Sequence, residues 1–212
     1  MMMIKNVHYS DIQYVSFSKL FSHEQAYYRN AIYNFLWRLN FEYTDFRKWY
    51  NGLFSENATL NNGREIIICF FQNQIAGVSI LKKSNKEKKI CTLRVAKKFQ
   101  KQGIGKDLIL KSIEWLETDK PLITVRSSKA YQFEKLFQYF GFKQESIYYG
   151  YYSWLSSEIA YNGNLPTTEM GMSSLLLTDM RAFLEYYIRQ GTYTVDELFN
   201  MYLQHCCENF LI

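Results

Sequence analysis

The sequence lacks long apolar segments, leader-like features and metal-binding cysteine patterns. No apolar run in the 212 residues approaches the ~20 residues that a membrane-spanning helix needs. The N-terminus, MMMIKN, begins no long apolar stretch and has no small-residue cleavage site, so we predict no signal peptide. The cysteines, Cys69, Cys91, Cys206 and Cys207, have no metal-like spacing and are predicted to be reduced structural thiols. These absences favour a cytoplasmic protein without a metal.

The length and composition are typical of a globular protein. Hydrophobic residues make up 48% of the chain and charged residues 21%, which is far from the composition of a disordered protein. A length of 212 residues is sufficient for one substantial core, or for one domain with an appendage.

One stretch combines the features of an anion-binding turn. A strand-like apolar run over residues 90–95 leads into a polar turn with Gly103 and Gly105, and an amphipathic helix follows. The apolar stripe of that helix comprises Ile109, Ile113 and Leu116. The first turn of a helix has unpaired N–H groups, and glycines allow a ligand to approach them closely. Lysines surround the turn at positions 97, 98, 101 and 106. The pattern favours a phosphate or pyrophosphate ligand, although an ordinary loop and helix cap can also contain such glycines.

The same stretch resembles the pyrophosphate loop of the GNAT family of N-acetyltransferases. In that family the loop reads Arg/Gln-x-x-Gly-x-Gly/Ala and follows a strand that ends in a Leu-x-Val-like pattern. Gln100, Gly103 and Gly105 fit the loop, and Leu93 and Val95 fit the strand. The stretch matches neither a dinucleotide-binding fingerprint nor a Walker loop, because Gly-x-Gly-x-x-Gly and Gly-Lys-Ser/Thr are both missing from it.

A second block agrees with this resemblance. Residues 122–125 are strand-like, residues 131–140 are predicted to form a helix, and Gly141-Phe142 matches the Gly-Phe that usually closes the next helix of the family. The clear resemblance covers roughly residues 64–164.

The resemblance implies an α/β fold with a mixed, mostly antiparallel sheet and helices on both faces. In that fold the strand of Leu93 and Val95 splays from its neighbour at a bulge, and the freed backbone groups bond the pantetheine arm as an extra strand would. Acetyl-CoA is therefore expected as cosubstrate, and no metal is expected. The residues expected to bind it are Leu93, Arg94, Val95, Gln100, Lys101, Gln102, Gly103, Ile104, Gly105 and Lys106.

The other elements are predicted from apolar periodicity. A short strand and two helices occupy about the first 60 residues; the first helix has a capping-box spacing at residues 22–25, and the second is predicted over 44–53. The resemblance implies that these helices line the cleft in which the acceptor substrate binds. The face of the first helix comprises Tyr28, Ile32, Phe35, Leu36 and Leu39. Strands are predicted over residues 64–71, 75–81, 89–95, 144–154 and 158–162.

The chain is predicted to divide at a linker, residues 163–166. Residues 1–164 form the GNAT-like domain, and residues 165–212 contain two amphipathic helices that form a hairpin. Because its apolar faces must be buried, we expect the hairpin to pack on the domain or on a second subunit, as in a homodimer. A partner-binding module is the alternative.

The formal net charge is +5, and part of the basic excess lies in a predicted hairpin turn. Its lysines are Lys82, Lys83, Lys86, Lys88 and Lys89. We favour a solvated turn that protects a sheet edge. The alternative is attraction of an anionic partner, such as the 3′-phosphate of coenzyme A or an RNA backbone.

The sequence identifies the catalytic residues less clearly than it identifies the cofactor loop. Many family members place a tyrosine four residues before the glycine of Gly-Phe to protonate the sulfur, but this chain has Phe137 there. Tyr139 is ~200° further around the helix and should face elsewhere. Residues 122–125 contain no glutamate, although some relatives carry their base at this strand.

Two groups of residues remain as candidates for the chemistry. Glu65, Glu145 and Glu158 are candidate bases, each expected to be a solvated surface charge. An aromatic cluster lies at Tyr148, Tyr149, Tyr151, Tyr152 and Trp154, and packing across the strand is favoured over a role in an acceptor site. No catalytic residue is assigned.

Three functions are consistent with these patterns. The first is acetyl transfer from acetyl-CoA to an amino group of a small molecule or protein. The second is a toxin-like acetylation of the amino acid on a charged transfer RNA, for which nucleic-acid binding is the lesser expectation. The third is a non-catalytic coenzyme A-binding or interaction module. All three use the cofactor loop, so the loop does not separate them.

Overall fold

The computed structural model describes residues 12–43, 45–54, 63–149, 151–152, 156–166 and residue 197. In chain order these residues form β1 (Ile12–Ser16), α1 (Ser22–Leu36), α2 (Phe46–Gly52), β2 (Arg64–Phe71), β3 (Gln74–Lys83), β4 (Lys88–Val95), α3 (Ile104–Leu116), β5 (Leu122–Arg126), α4 (Glu134–Phe140), β6 (Gln144–Tyr149) and β7 (Ser157–Tyr161). The predicted C-terminal hairpin, Cys206, Cys207, Trp154 and Thr44 lie outside the described residues.

The strands form one sheet in the order β1-β2-β3-β4-β5-β7-β6. Strands β1 to β4 pair as an antiparallel meander, and β4 pairs with β5 in parallel. The predicted mixed, mostly antiparallel sheet is confirmed. By their contacts, the described residues of 12–146 and 159–164 form one compact unit, and those of 147–158 with 165–166 belong to a second.

Strand β2 is the centre of the first unit. Its residues from Glu65 to Phe70 are all buried, because a helix layer covers each face, as the continuous apolar run predicted. Under α3, Ile67 and Cys69 of β2 pack with Leu108 and Ile109. On the other face, the helices α1 and α2 pack on β1, β2 and β3. That second cluster includes Ile32, Leu36, Phe46, Tyr50, Ile66, Ile68, Val78 and Ile80.

The N-terminal helix differs from its prediction at one end. The predicted apolar face is confirmed, since all five residues pack in or against the second cluster. The capping-box prediction is wrong by one residue, because Ser22 is the first helical residue and Phe21 precedes it. The side chain of Glu24 accepts a hydrogen bond from the Phe21 N–H at 2.9 Å, so a carboxylate supplies the cap.

Two other boundaries also differ. Residues Ser127–Gln132 form 3₁₀ turns, and the following α-helix begins only at Glu134 rather than at residue 131. Strand β6 ends at Tyr149, earlier than predicted. Within the described ranges, none of the helices has the length and apolar character required to cross a membrane.

Candidate cofactor-binding site

Strands β4 and β5 lie side by side over a short distance only. Their parallel pairing consists of Lys89 with Leu122 and Ile90 with Ile123. Strand β3 pairs with Ile90 and then with Thr92. Cys91, which lies between them in β4, has no partner residue in β3. An extra residue of this kind is a β-bulge, which bends a strand and interrupts its pairing. Residues 92–95 therefore run beside a gap in the sheet, and the splay that the resemblance implied is confirmed.

The turn after β4 is anchored at both ends. The 3₁₀ turn Lys97–Phe99 places the buried ring of Phe99 against Phe71, with 5.2 Å between ring centroids. The Nε2 of Gln100 donates a hydrogen bond to the Val95 carbonyl at 3.2 Å, so this side chain holds the turn against the strand end. Gly103 has a φ of 86°, in the left-handed region, and directly precedes α3. Glycine adopts this conformation at the least cost.

Helix α3 presents its N-terminus at the end of this turn. The Asp107 N–H bonds the Gly103 carbonyl at 3.0 Å, which begins the helical pattern. Among the described residues, the N–H groups of Ile104 and Gly105 have no acceptor, as expected for a first helical turn. These N–H groups and the positive end of the helix dipole favour an anion.

The lysines of the turn differ in whether their ammonium groups have interaction partners. The Lys98 ammonium donates to Gln74 Oε1 at 2.6 Å. The Lys106 ammonium lies 4.1 Å from the centre of the Tyr139 ring. Lys97 and Lys101 are exposed and have no carboxylate partner among the described residues. Two positive charges thus remain available beside the helix N-terminus.

The lysine cluster of the hairpin turn is largely neutralised within the protein. Lys82 and Lys83 pair with Glu87 and Glu117 at 2.5 and 2.7 Å, respectively. Lys88 donates to the Glu117 carbonyl, and Lys89 is buried. The tip of the turn is exposed at residues 84–86, as predicted, but the prediction that it protects a sheet edge is wrong, because β4 lies between β3 and β5.

The predicted cofactor residues run from β4 through the turn into α3, and their apolar side chains pack inward. Leu93 and Val95 pack on the core under α3, and the Ile104 side chain is buried there. That the backbone here binds the cofactor remains a prediction. Gly105 has room for ordinary contacts, since a Cβ there would lie 3.6 Å from Leu136.

Phe137 lies in the core beside the cofactor turn. Its ring is 2% exposed and stands edge-on to Tyr161, with 4.6 Å between centroids. Burial raises the pKa of Tyr161, and the nearby Glu134 carboxylate adds to this effect. Tyr139 is 63% exposed and faces away from Phe137, as the helical rotation predicted.

The three glutamates considered as bases occupy different environments. Glu145 is exposed, as expected. Glu65 and Glu158 are only 4% and 1% exposed, so their prediction as solvated surface charges is wrong. The Glu65 carboxylate accepts hydrogen bonds from Ser18 and from the N–H of Ile66. This burial is tolerated because those donors replace water around the charge.

The described cysteines, Cys69 and Cys91, are free thiols, which confirms that part of the prediction. Burial raises the pKa of Cys69 to about 11 and also raises the pKa of Cys91. Both thiols are therefore protonated and unreactive near neutral pH.

The tyrosines near β6 pack mainly on one another. The rings of Tyr151 and Tyr152 are 4.7 Å apart, and those of Tyr148 and Tyr151 are 5.7 Å apart. The Tyr148 hydroxyl accepts a hydrogen bond from the Leu165 N–H at 3.1 Å, whereas Tyr149 is exposed. Packing, which we favoured, accounts for the three contacting rings.

Sequence reasoning missed one residue that the structure brings near the site. Arg126 is the last residue of β5. Its position in the strand places it on the same face of the sheet as Arg94. The signal was present in the alternation of Leu122-Ile123-Thr124-Val125-Arg126, in which alternate residues point to opposite faces.

Residues 40–147 match a family model described as an acetyltransferase (GNAT) domain. This chain belongs to the GNAT family. The match covers half of the protein and includes the cofactor turn, α3 and α4. No curated protein sequence matches the chain at a significant level.

Solved structures of GNAT proteins resemble this chain in fold. The ribosomal-protein-S18-alanine N-acetyltransferase from Escherichia coli is 19% identical, with 71% of this chain and 91% of that chain covered, at a TM-score of 0.51. A GNAT-family protein from Desulfovibrio desulfuricans is 12% identical, with 71% and 96% covered, at a TM-score of 0.50. A GNAT acetyltransferase from Elizabethkingia anophelis, solved with acetyl-CoA bound, is 25% identical, with 50% and 81% covered, at a TM-score of 0.39.

The residues of this GNAT chain fit the acetyl-CoA that the family uses. A strand with an open backbone edge suits the amide-containing pantetheine arm, because amides and backbone groups form the same hydrogen bonds. A helix N-terminus with Lys97 and Lys101 beside it suits a pyrophosphate. Within the described residues, no group of His, Cys, Asp or Glu has the arrangement of a metal site.

Proposed function

We propose that this protein transfers the acetyl group of acetyl-CoA to an amino group of a small molecule or of a protein. The main support is the order of three features along one stretch: the gap beside residues 92–95, the left-handed Gly103, and the N-terminus of α3. The gap suits the thioester with its pantetheine arm, and Gly103 with the N-terminus of α3 suits the pyrophosphate.

The backbone has the main binding role in this proposal. The groups of residues 93–95 bond the pantetheine arm, and one N–H holds the thioester oxygen, where negative charge develops during acyl transfer. The N–H groups at the start of α3 bind the pyrophosphate, with Lys97 and Lys101 adding positive charge. The buried side chains of Leu93, Val95 and Ile104 keep this backbone in place.

The reaction forms a C–N bond and breaks the C–S bond of the thioester. The amine must first lose a proton from its ammonium form, whose pKa is ~10.4 for a lysine-type amine. The departing thiol has a pKa near ~8.5 and is a tolerable leaving group as the thiolate. Phe137 has no proton to donate, so we propose that the thiolate leaves without help from this position.

Calorimetric titration with acetyl-CoA tests the binding part of the proposal. Gly103→Glu fills the turn and places a negative charge where the phosphates would lie, so we expect no detectable binding. Gly52→Glu is the matched control, because an added Cβ there meets no atom within 4 Å and the residue belongs to α2. Circular dichroism checks that both variants are folded. A folded Gly103→Glu protein with wild-type affinity would overturn the assignment.

Mass spectrometry of reaction products tests the catalytic part. The wild-type protein is incubated with acetyl-CoA and with amines, peptides and charged transfer RNA in separate reactions. An acetylated small molecule or peptide supports the proposal. Tight acetyl-CoA binding without any acetylated product would instead identify a binding module, and a product on charged transfer RNA alone would identify the toxin-like activity.

A further inference from the structure

Arg94 lies on the face of the sheet opposite α3. In the antiparallel register it pairs with Val78, and directly paired residues share a face. Val78 belongs to the apolar cluster under α1 and α2. Leu93 and Val95, which flank Arg94 in β4, pack on the core under α3 instead. The Arg94 side chain therefore leaves the strand on the α1 and α2 side.

Arg126 reaches the same face from the other side of the gap. Ile123 and Val125 of β5 belong to the core under α3, so Thr124 and Arg126 point the opposite way. Ile90 pairs with Ile123, and Cys91 is the extra residue of the bulge. Counted onward from that pair with the extra residue left out, Thr92 corresponds to Thr124, and Arg94 corresponds to Arg126 on the other side of the gap.

The helices on this face leave β4 and β5 without an apolar cover. The cluster under α1 and α2 draws its sheet residues from β1, β2 and β3 and includes no residue of β4 or β5 among those described. The two strands present polar side chains at Thr92, Arg94, Thr124 and Arg126, and all four are partly exposed.

Neither arginine has a hydrogen-bond or ion-pair partner among the described residues. The carboxylates of Glu42 and Glu87 pair with Lys129 and Lys82. A partly buried guanidinium without a counter-ion is an unusual arrangement, because a nearby carboxylate would stabilise it. Each guanidinium presents a planar fork of N–H donors that matches the two oxygens of a carboxylate.

We propose that Arg94 and Arg126 bind the carboxylate of the acceptor. The acceptor is then a small amine that carries a free carboxylate, as an amino acid does, held beside the gap in which the thioester lies. This inference rests on the proposed function and specifies its substrate class. A neutral amide or ester at the same position offers no negative charge to the two guanidinium groups.

The experiment compares matched acceptors that differ only in charge. The probes are the standard amino acids, their α-amides and the corresponding amines without a carboxyl group, each tested with acetyl-CoA and mass-spectrometric detection. We expect the wild-type protein to acetylate at least one free acid with a kcat/KM at least tenfold above that of its amide. In Arg126→Gln, kcat/KM for that acid should fall about 10- to 100-fold, mainly through KM, while the value for the amide changes less than threefold. Arg94→Gln should lose at least as much activity on the acid.

Further variants separate recognition from folding. Arg126→Lys keeps the charge but loses the fork, so it should retain more activity on the acid than Arg126→Gln. Arg47→Gln is the matched control, because Arg47 is an exposed arginine of α2, and it should leave all rates unchanged. Calorimetry should give the wild-type acetyl-CoA affinity for Arg126→Gln, Arg126→Lys and Arg47→Gln.

Several outcomes would overturn the inference. Equal rates on acids and amides would do so, and so would equal losses on both in Arg126→Gln. Acetylation of charged transfer RNA or of a peptide without acetylation of any free acid would also exclude it, because the carboxylate is esterified or amidated in those acceptors. A wild-type protein that does not bind acetyl-CoA would instead overturn the proposed function itself.

Discussion

A Cβ atom placed on Gly77 of β3 would lie 2.9 Å from Cδ1 of Leu108 on α3. It would also lie 3.1 Å from Cγ2 of Ile104, the first residue of that helix, and 3.2 Å from the Arg94 carbonyl oxygen. Only glycine allows α3 to approach the sheet this closely. The contact sets the position of the helix N-terminus relative to β4, so it links core packing to the proposed pyrophosphate site.

Gly77→Ala should therefore weaken both the fold and the site. The added methyl group overpacks the core, and we expect the free energy of unfolding to fall by about 1–3 kcal/mol. Because Ile104 must shift, acetyl-CoA affinity should fall as well. Urea denaturation and calorimetry measure the two effects. Gly52→Ala is the control, with unchanged or slightly higher stability, and a Gly77→Ala protein as stable as wild type would contradict the close approach.

Glu65 should be important for stability rather than for chemistry. Its Oε1 accepts from the N–H groups of Ser18 and Ile66 at 3.2 and 2.9 Å, and its Oε2 accepts from the Ser18 hydroxyl at 2.5 Å. Glu65→Gln replaces one acceptor oxygen by an NH₂ group and removes the charge. We expect the free energy of unfolding to fall by about 1.5–3 kcal/mol in urea denaturation.

The exposed Glu145 provides the matched comparison for this prediction. Glu145→Gln should change the free energy of unfolding by less than about 0.5 kcal/mol. At a temperature at which both variants are folded, each should keep the wild-type kcat within threefold. A hundredfold loss of kcat in folded Glu65→Gln would show that this carboxylate acts as the base.

Phe137→Tyr tests whether the missing hydroxyl matters. The Phe137 ring is surrounded by Phe133, Phe142 and Tyr161, so a new hydroxyl would be buried without an evident partner. We expect a loss of about 1–3 kcal/mol in stability and no gain in kcat. Phe137→Leu is the comparison, which loses packing without adding a polar group. A tenfold rise in kcat for Phe137→Tyr would show that the ring points at the sulfur.

Much of the first unit could be predicted because its signals are local. The continuous apolar run of β2 predicted a strand buried on both faces, and Gly103 marked the turn before α3. The splay at Cys91 followed from the family resemblance rather than from residue types. No property of a lone cysteine within an apolar run shows that one residue is skipped in the pairing.

The rest depended on contacts between distant parts of the chain. Glu65 and Ser18 are 47 positions apart, so the donors that permit burial of that carboxylate could not be identified from the sequence. The same holds for Lys83 and Glu117, whose ion pair changes the interpretation of the lysine-rich turn. Arg94 and Arg126 lie on separate strands, and their shared face requires the register of the sheet.

The short β4–β5 pairing also affects how the protein opens. Two residue pairs join the backbones of these strands, whereas β2 and β3 are paired along nearly their whole length. Opening of a seam with so few hydrogen bonds requires less free energy than opening of a fully paired one. Those amides of residues 92–95 that face the gap rather than β3 should therefore exchange fast in the free protein. A ligand that binds in the seam lowers the free energy of the closed state. Under the proposed function, we therefore expect bound acetyl-CoA to slow exchange at these amides.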